Sequence, residues 1–129
     1  MERPVKCISV EEARNLQNNW KKSRGKEIAS GQGYEDTREF WYSITELEEY
    51  IQYVKEKSVE QGIKNPGLRI YLGAYPKQGE KKSLSTIFIS PTTDEIVETN
   101  SAENEDVYVN NYSIEPLNLS QSGWPPKEY

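Results

Sequence analysis

Apolar residues recur along this chain with two periods, and the change from one to the other marks out its elements. Val10, Ala13, Leu16, Gln17 and Trp20 lie along one side of a helix, and Ser9 followed by Glu12 has capping-box spacing. The spacing predicts a helix over 10–24, with Lys21, Lys22 and Arg24 at the end where a helix dipole favours cations. "GKEIASGQGYED" holds three glycines and no sustained period, so it reads as a loop. "TREFWYS" reads as an interior strand, because three adjacent aromatics touch both faces of a sheet. Ser43 and Glu46 repeat the capping signal, and Ile44, Leu47, Ile51, Val54 and Ser58 form a second helical stripe that stops before Gly62.

The period then becomes two. Asn65-Pro66-Gly67 predicts a type II turn leading into "GLRIYLGAYP". In that strand Leu68, Ile70, Leu72 and Ala74 share one face, read as the core side, and Arg69, Tyr71, Gly73 and Tyr75 share the other, read as accessible. "KQGEKK" is a polar connection to "SLSTIFISPT", which completes a hairpin and is expected to end at Pro91. Two short β-like runs, 95–99 and 106–110, flank the tip of an acidic loop over 92–106, and an irregular proline-containing tail covers 113–129. Together these elements predict an α+β fold: two helices packed on one face of a mainly antiparallel sheet of three to five strands, in the order α-β-α-β-β plus short C-terminal β runs. A chain of 129 residues is expected to form a single domain over 1–129.

Composition thins the expected core. The apolar fraction is 34%, which is low, and 14 aromatic residues partly compensate by their size. The net charge of −5 is uneven: residues 1–82 carry 15 basic and 13 acidic side chains, residues 83–126 seven acidic and no basic ones. That balance argues against nucleic acid, which requires clustered cations, and favours a basic protein partner. The lone Cys7 excludes an intramolecular disulfide framework, and neither a signal-peptide run nor a bilayer-spanning segment is visible. A cytoplasmic protein with no membrane partner is the expectation.

Chemistry is sparse. With no histidine, Ser-His-Asp, Cys-His and histidine-metal arrangements all disappear, and one thiol cannot form a structural zinc site within one chain. Gly31-Gln32-Gly33 lacks the third glycine and preceding strand of a dinucleotide site. The acidic segment lacks the spacing of a calcium loop. No catalytic residue, metal or cofactor is therefore assigned.

The succession of the aromatic strand, "SITELEEYIQYVKEKSVEQG", "LRIYLGAYP", "TIFISPT" and a terminal "GWPP" resembles a group of small bacterial proteins. The resemblance implies a free-standing bacterial protein and carries over no catalytic residue.

Binding is then the first expectation. Arg69, Tyr71 and Tyr75, with Trp41 and Trp124, are the candidate binding residues, since an Arg fork beside aromatic rings combines charge with stacking surface. Glu103, Glu105 and Asp106 are the candidate partner-facing acids. The reading is a non-catalytic protein-binding module of bacterial type, of the immunity, antitoxin or adaptor kind, with its acidic surface towards a basic partner. The alternative is a small-molecule binder or histidine-free enzyme with a pocket at the Arg/Tyr face. A homodimer through that aromatic face is a third reading.

Overall fold

The computed structural model describes residues 1–98 and 106–129. It contains two helices and five strands, the strands in two small antiparallel sheets, giving an α+β fold in the order α-β-α-β-β-β-β. The chain divides into two compact units, Met1–Glu39 with Gly123–Tyr129, and Phe40–Ser122. Among the described residues no helix is long and apolar enough to cross a membrane.

The first unit is built on helix α1, which joins an α-helical span Val10–Trp20, a π-helical turn Lys21–Gly25 and a second α-helical span Lys26–Gln32. Ser9 caps it as its spacing predicts: Ser9 Oγ accepts from the Glu12 N–H at 3.0 Å, and Glu12 Oε2 accepts from the Ser9 N–H at 3.3 Å. The expected end at Arg24 is wrong, because the helix runs on to Gln32 and stops at Gly33, whose φ of 84° is left-handed. The π turn explains the error. Its wider spacing brings residues five apart together, and a Cβ on Gly25 would lie 2.9 Å from Trp20 Cζ3. Gly25 therefore makes room for the indole within the helix instead of ending it.

The basic run is consequently in mid-helix, away from the C-terminal pole expected to account for it. Lys21 pairs instead with Glu128, which Arg38 also approaches at 3.5 Å. Gln17 Nε2 donates to Glu128 Oε2 at 3.2 Å, and Arg14 Nε donates to the Tyr129 carbonyl at 3.4 Å. Residues 123–129 are thus fastened along α1. Thr37 Oγ1 donates to the Gly123 carbonyl at 2.8 Å, adding a second tie within this unit.

The second unit holds β1 (Phe40–Trp41), α2 (Ile44–Glu60), β2 (Gly67–Ala74), β3 (Ser85–Glu98), β4 (Asp106–Asn110) and β5 (Gln121–Ser122). Helix α2 is the element its sequence specifies best: Ser43 Oγ accepts from the Glu46 N–H at 3.0 Å, and Gly62 follows its end with φ 74°. The aromatic segment is not an interior strand. Only Phe40 and Trp41 of it form a strand, and they pair with β5 in a two-stranded sheet, which also gives the tail a strand where none was expected.

The main sheet has the order β2-β3-β4, antiparallel throughout. Pro91 does not end β3. Its carbonyl accepts from the Asn111 N–H at 2.8 Å, one residue past the end of β4 at Asn110, so the missing proline donor faces the side where the β3–β4 ladder has already stopped. The type II turn before β2 is also absent. Gly67 opens the strand, its N–H donating to Thr92 Oγ1 at 3.1 Å, and a Cβ there would come within 2.7 Å of that oxygen.

Tyr50, Val54, Ile89 and Ile114 form the buried apolar core, with Tyr42, Leu47 and Leu117 against it. After β4 the chain returns along β3, where Ile89 and Leu117 exchange backbone hydrogen bonds at 2.8 and 2.9 Å. Helix α2 is therefore centred on β3 and this returning segment, and it leaves β2 at the margin.

Candidate functional site

Strand β2 carries the features that ask for a functional explanation. Leu68, Ile70 and Leu72 lie opposite Pro91, Ile89 and Ile87, and directly opposed side chains share a sheet face. That is the face on which α2 reaches Ile89, so the expected grouping is right and its burial is not. Ile89 is 5% exposed, whereas Leu68, Ile70 and Leu72 are 41%, 65% and 82% exposed. The reason is geometric: α2 covers the central strand, and the edge strand keeps its aliphatic row uncovered.

The backbone of β2 is oriented to match. The Tyr75 N–H donates to the Leu84 carbonyl at 3.1 Å, extending the Ala74–Ser85 register by one residue. In an antiparallel strand the N–H and C=O of a residue point to one side and those of its neighbours to the other. Arg69, Tyr71 and Gly73 thus turn their backbone groups to β3, while Leu68, Ile70, Leu72 and Ala74 turn theirs to the outer edge. Among the described residues no strand lies on that side.

The opposite face is half-buried, against the expectation that it would be the accessible one. Arg69 Nη2 donates to the Tyr108 carbonyl at 2.9 Å, and Nη1 donates to Asn110 Oδ1, so the guanidinium is drawn across β3 to β4. Asn110 Nδ2 donates to the Tyr71 oxygen at 2.7 Å, and the Tyr71 ring stacks on Phe88 with centroids 5.1 Å apart. The hydrogen bond from Asn110, helped by Arg69, draws the Tyr71 phenol below the usual tyrosine value. A cleft of about 330 Å³ opens beside these groups, lined by Tyr71, Phe88, Ser90, Asn110, Asn111 and Tyr112 among others.

The remaining candidates are dispersed. The Tyr75 hydroxyl donates to Asn118 Oδ1 at 2.9 Å and accepts from Thr86 Oγ1 at 3.3 Å, away from the Arg69 pair. Trp41 is an exposed residue of β1. Trp124 belongs to the first unit, where its indole N–H donates to the Glu35 carbonyl at 2.8 Å. Glu103 and Glu105 lie outside the described residues, and Asp106 opens β4. The expected acidic loop is therefore β3 over its first part, up to Glu98.

Sequence reasoning missed Asn110 and Asn111. Asn111 Nδ2 donates to Gln61 Oε1 at 2.6 Å, and its Oδ1 accepts from the Ser113 hydroxyl at 2.6 Å, so one side chain ties the end of α2 to the chain after β4. The pair "NN" at the end of a β-like run was the available signal, because asparagine satisfies backbone and side-chain partners where a ladder stops. Among the described residues no group of His, Cys, Asp and Glu is placed to hold a metal. No protein-family model matches the chain, and no curated protein or solved structure matches it either.

Proposed function

We propose that the protein is a non-catalytic protein-binding module and that β2 is its recognition element. The observation that carries this reading is the coincidence, on one strand, of an uncovered aliphatic row with an outward set of backbone donors and acceptors. An exposed sheet edge takes an extended segment of a partner by strand addition: main-chain hydrogen bonds supply affinity, and the flanking side chains supply selectivity. Edge strands that avoid pairing carry charged side chains, Pro or a bulge; between Gly67 and Ala74 β2 has no Pro or bulge, and its one charge, Arg69, is drawn across β3 to Asn110 and the Tyr108 carbonyl.

The test uses tagged wild-type chain and Ile70→Lys as parallel baits in a native bacterial lysate supplemented with untagged wild-type chain. Ile70 is exposed, so the substitution guards the edge without opening the core. The reading expects a protein, which includes an untagged copy of this chain, to be retained by wild type and lost by the variant. Equal retention by both, or retention by neither, contradicts it.

A second reading rests on the cleft beside Tyr71, where Arg69 and two asparagines surround a phenol of lowered pKa. A small ligand with a planar group would stack there in place of solvent. That reading expects a metabolite panel to raise the melting temperature of wild type and not of Tyr71→Ala. No shift with any compound contradicts it.

A further inference from the structure

The run Gly67-Leu68-Arg69-Ile70-Tyr71-Leu72-Gly73 reads almost the same in both directions. Glycine and leucine recur symmetrically about Ile70, and the one asymmetric pair is Arg69 with Tyr71. In an antiparallel pairing of a strand with its own copy about Ile70, residue 70 + n faces residue 70 − n, so this symmetry sets like against like: Leu68 meets Leu72 and Gly67 meets Gly73.

Taking β2 as the recognition element, we infer that its occupant is β2 of a second copy, paired antiparallel about a two-fold axis through Ile70. Three observations converge on this register. First, an axis on a residue, Ile70 included, opposes residues of even number to one another, and those are the residues whose N–H and C=O point outward, while the choice of Ile70 rests on the side chains it brings together. An axis between two residues would oppose outward groups to inward ones and break the ladder.

Second, the register sets Leu68 opposite Leu72 of the second copy, Ile70 opposite Ile70 and Arg69 opposite Tyr71. The three residues that are 41%, 65% and 82% exposed in one chain thus gain aliphatic neighbours on their free side. Third, β2 carries one charge, and its guanidinium is drawn across β3 to Asn110 and the Tyr108 carbonyl. The edge itself is left without like charges to repel each other. Two three-stranded sheets become one sheet of six strands, and the interface is isologous, the commonest closed symmetry of oligomers.

The test combines mass with register. Light scattering on the wild-type chain is expected to give twice the 14.9 kDa chain mass, falling to 14.9 kDa for Ile70→Lys, with an unchanged far-ultraviolet spectrum confirming that the variant is folded. Register is read by mild oxidation of single-cysteine variants in a Cys7→Ser background. Directly opposed hydrogen-bonded residues have Cα atoms about 5.5 Å apart, within disulfide reach. Ile70→Cys is therefore expected to cross-link to itself.

Leu68→Cys and Leu72→Cys are expected to cross-link when mixed and not alone, because each lies about 14 Å along the strand from its own copy. A monomer at every concentration overturns the inference, as does a dimer that survives Ile70→Lys or fails this cross-linking pattern. If the chain is monomeric and a different lysate protein is still lost by Ile70→Lys, the binding-module reading stands and this inference alone falls.

Discussion

Tyr50 shows how much of the second unit rests on single polar contacts. Its hydroxyl lies 2.8 Å from the Glu115 carbonyl and 3.2 Å from that of Ile89, so one proton is shared between the returning segment and the central strand. Phenylalanine at this position would keep the ring packing and leave both carbonyls without that donor. Tyr50→Phe is expected to cost about 1–3 kcal/mol in urea unfolding.

The same hydroxyl sets an alkaline limit. Burial, chiefly, holds the Tyr50 pKa above the usual tyrosine value of 10.0. A folded-state pKa raised above the unfolded one means that the contribution to stability is fully present below about pH 10 and lost as pH rises through the folded value. Unfolding midpoints measured from pH 9 upward are expected to fall in wild type more steeply than in Tyr50→Phe. Parallel curves would contradict this account of the residue.

At the level of elements, α2 was the most legible part of the chain because its signals are local. Ser43, the apolar stripe and Gly62 each act within a few residues of the backbone they shape. Ser43→Ala is expected to lower stability by about 1 kcal/mol, measured by thermal or urea unfolding, since it removes the acceptor for the Glu46 N–H. Helix α1 was misread at Gly25 because a glycine that makes room for an indole looks, in sequence, like a glycine that ends a helix.

Strand β2 was legible in extent and in the grouping of its faces. Alternation says which residues lie together, but not which group a neighbour covers. That depends on where α2 settles, and α2 settles over Ile89 and Ile114. The Arg69–Asn110–Tyr71 set was half legible for a related reason: the strand shows Arg and Tyr, while the asparagine that joins them arrives from a strand about 40 residues later. A direct contrast follows. At a dilution where the chain is monomeric, Ile114→Ala is expected to cost about 2–5 kcal/mol. Ile70→Ala is expected to stay within about 0.5 kcal/mol, because little of its side chain is buried. Equal losses in urea unfolding would place Ile70 in the core and restore the sequence-based assignment of the faces.

On the scale of the whole molecule, the low apolar fraction has a structural counterpart. Among the described residues the buried apolar cluster of the second unit comprises four residues, while the opposite face of β3 buries polar side chains, Thr86, Ser90 and Thr92. Meanwhile Leu68, Ile70 and Leu72 remain at the surface. A chain short of aliphatic residues that leaves three of them on an unguarded edge invites association there. The proposed binding module rests on that circumstance, and the proposed self-pairing adds to it the symmetry and backbone orientation of β2.

Residue-resolved amide hydrogen exchange of β2 across a dilution series tests it most directly. At high concentration the amides of Leu68, Ile70 and Leu72 are expected to be protected, and on dilution they should exchange while those of Arg69, Tyr71 and Gly73 stay protected against β3. Protection of the even-numbered amides at every dilution, or their free exchange at every concentration with no added partner able to slow it, would contradict the account.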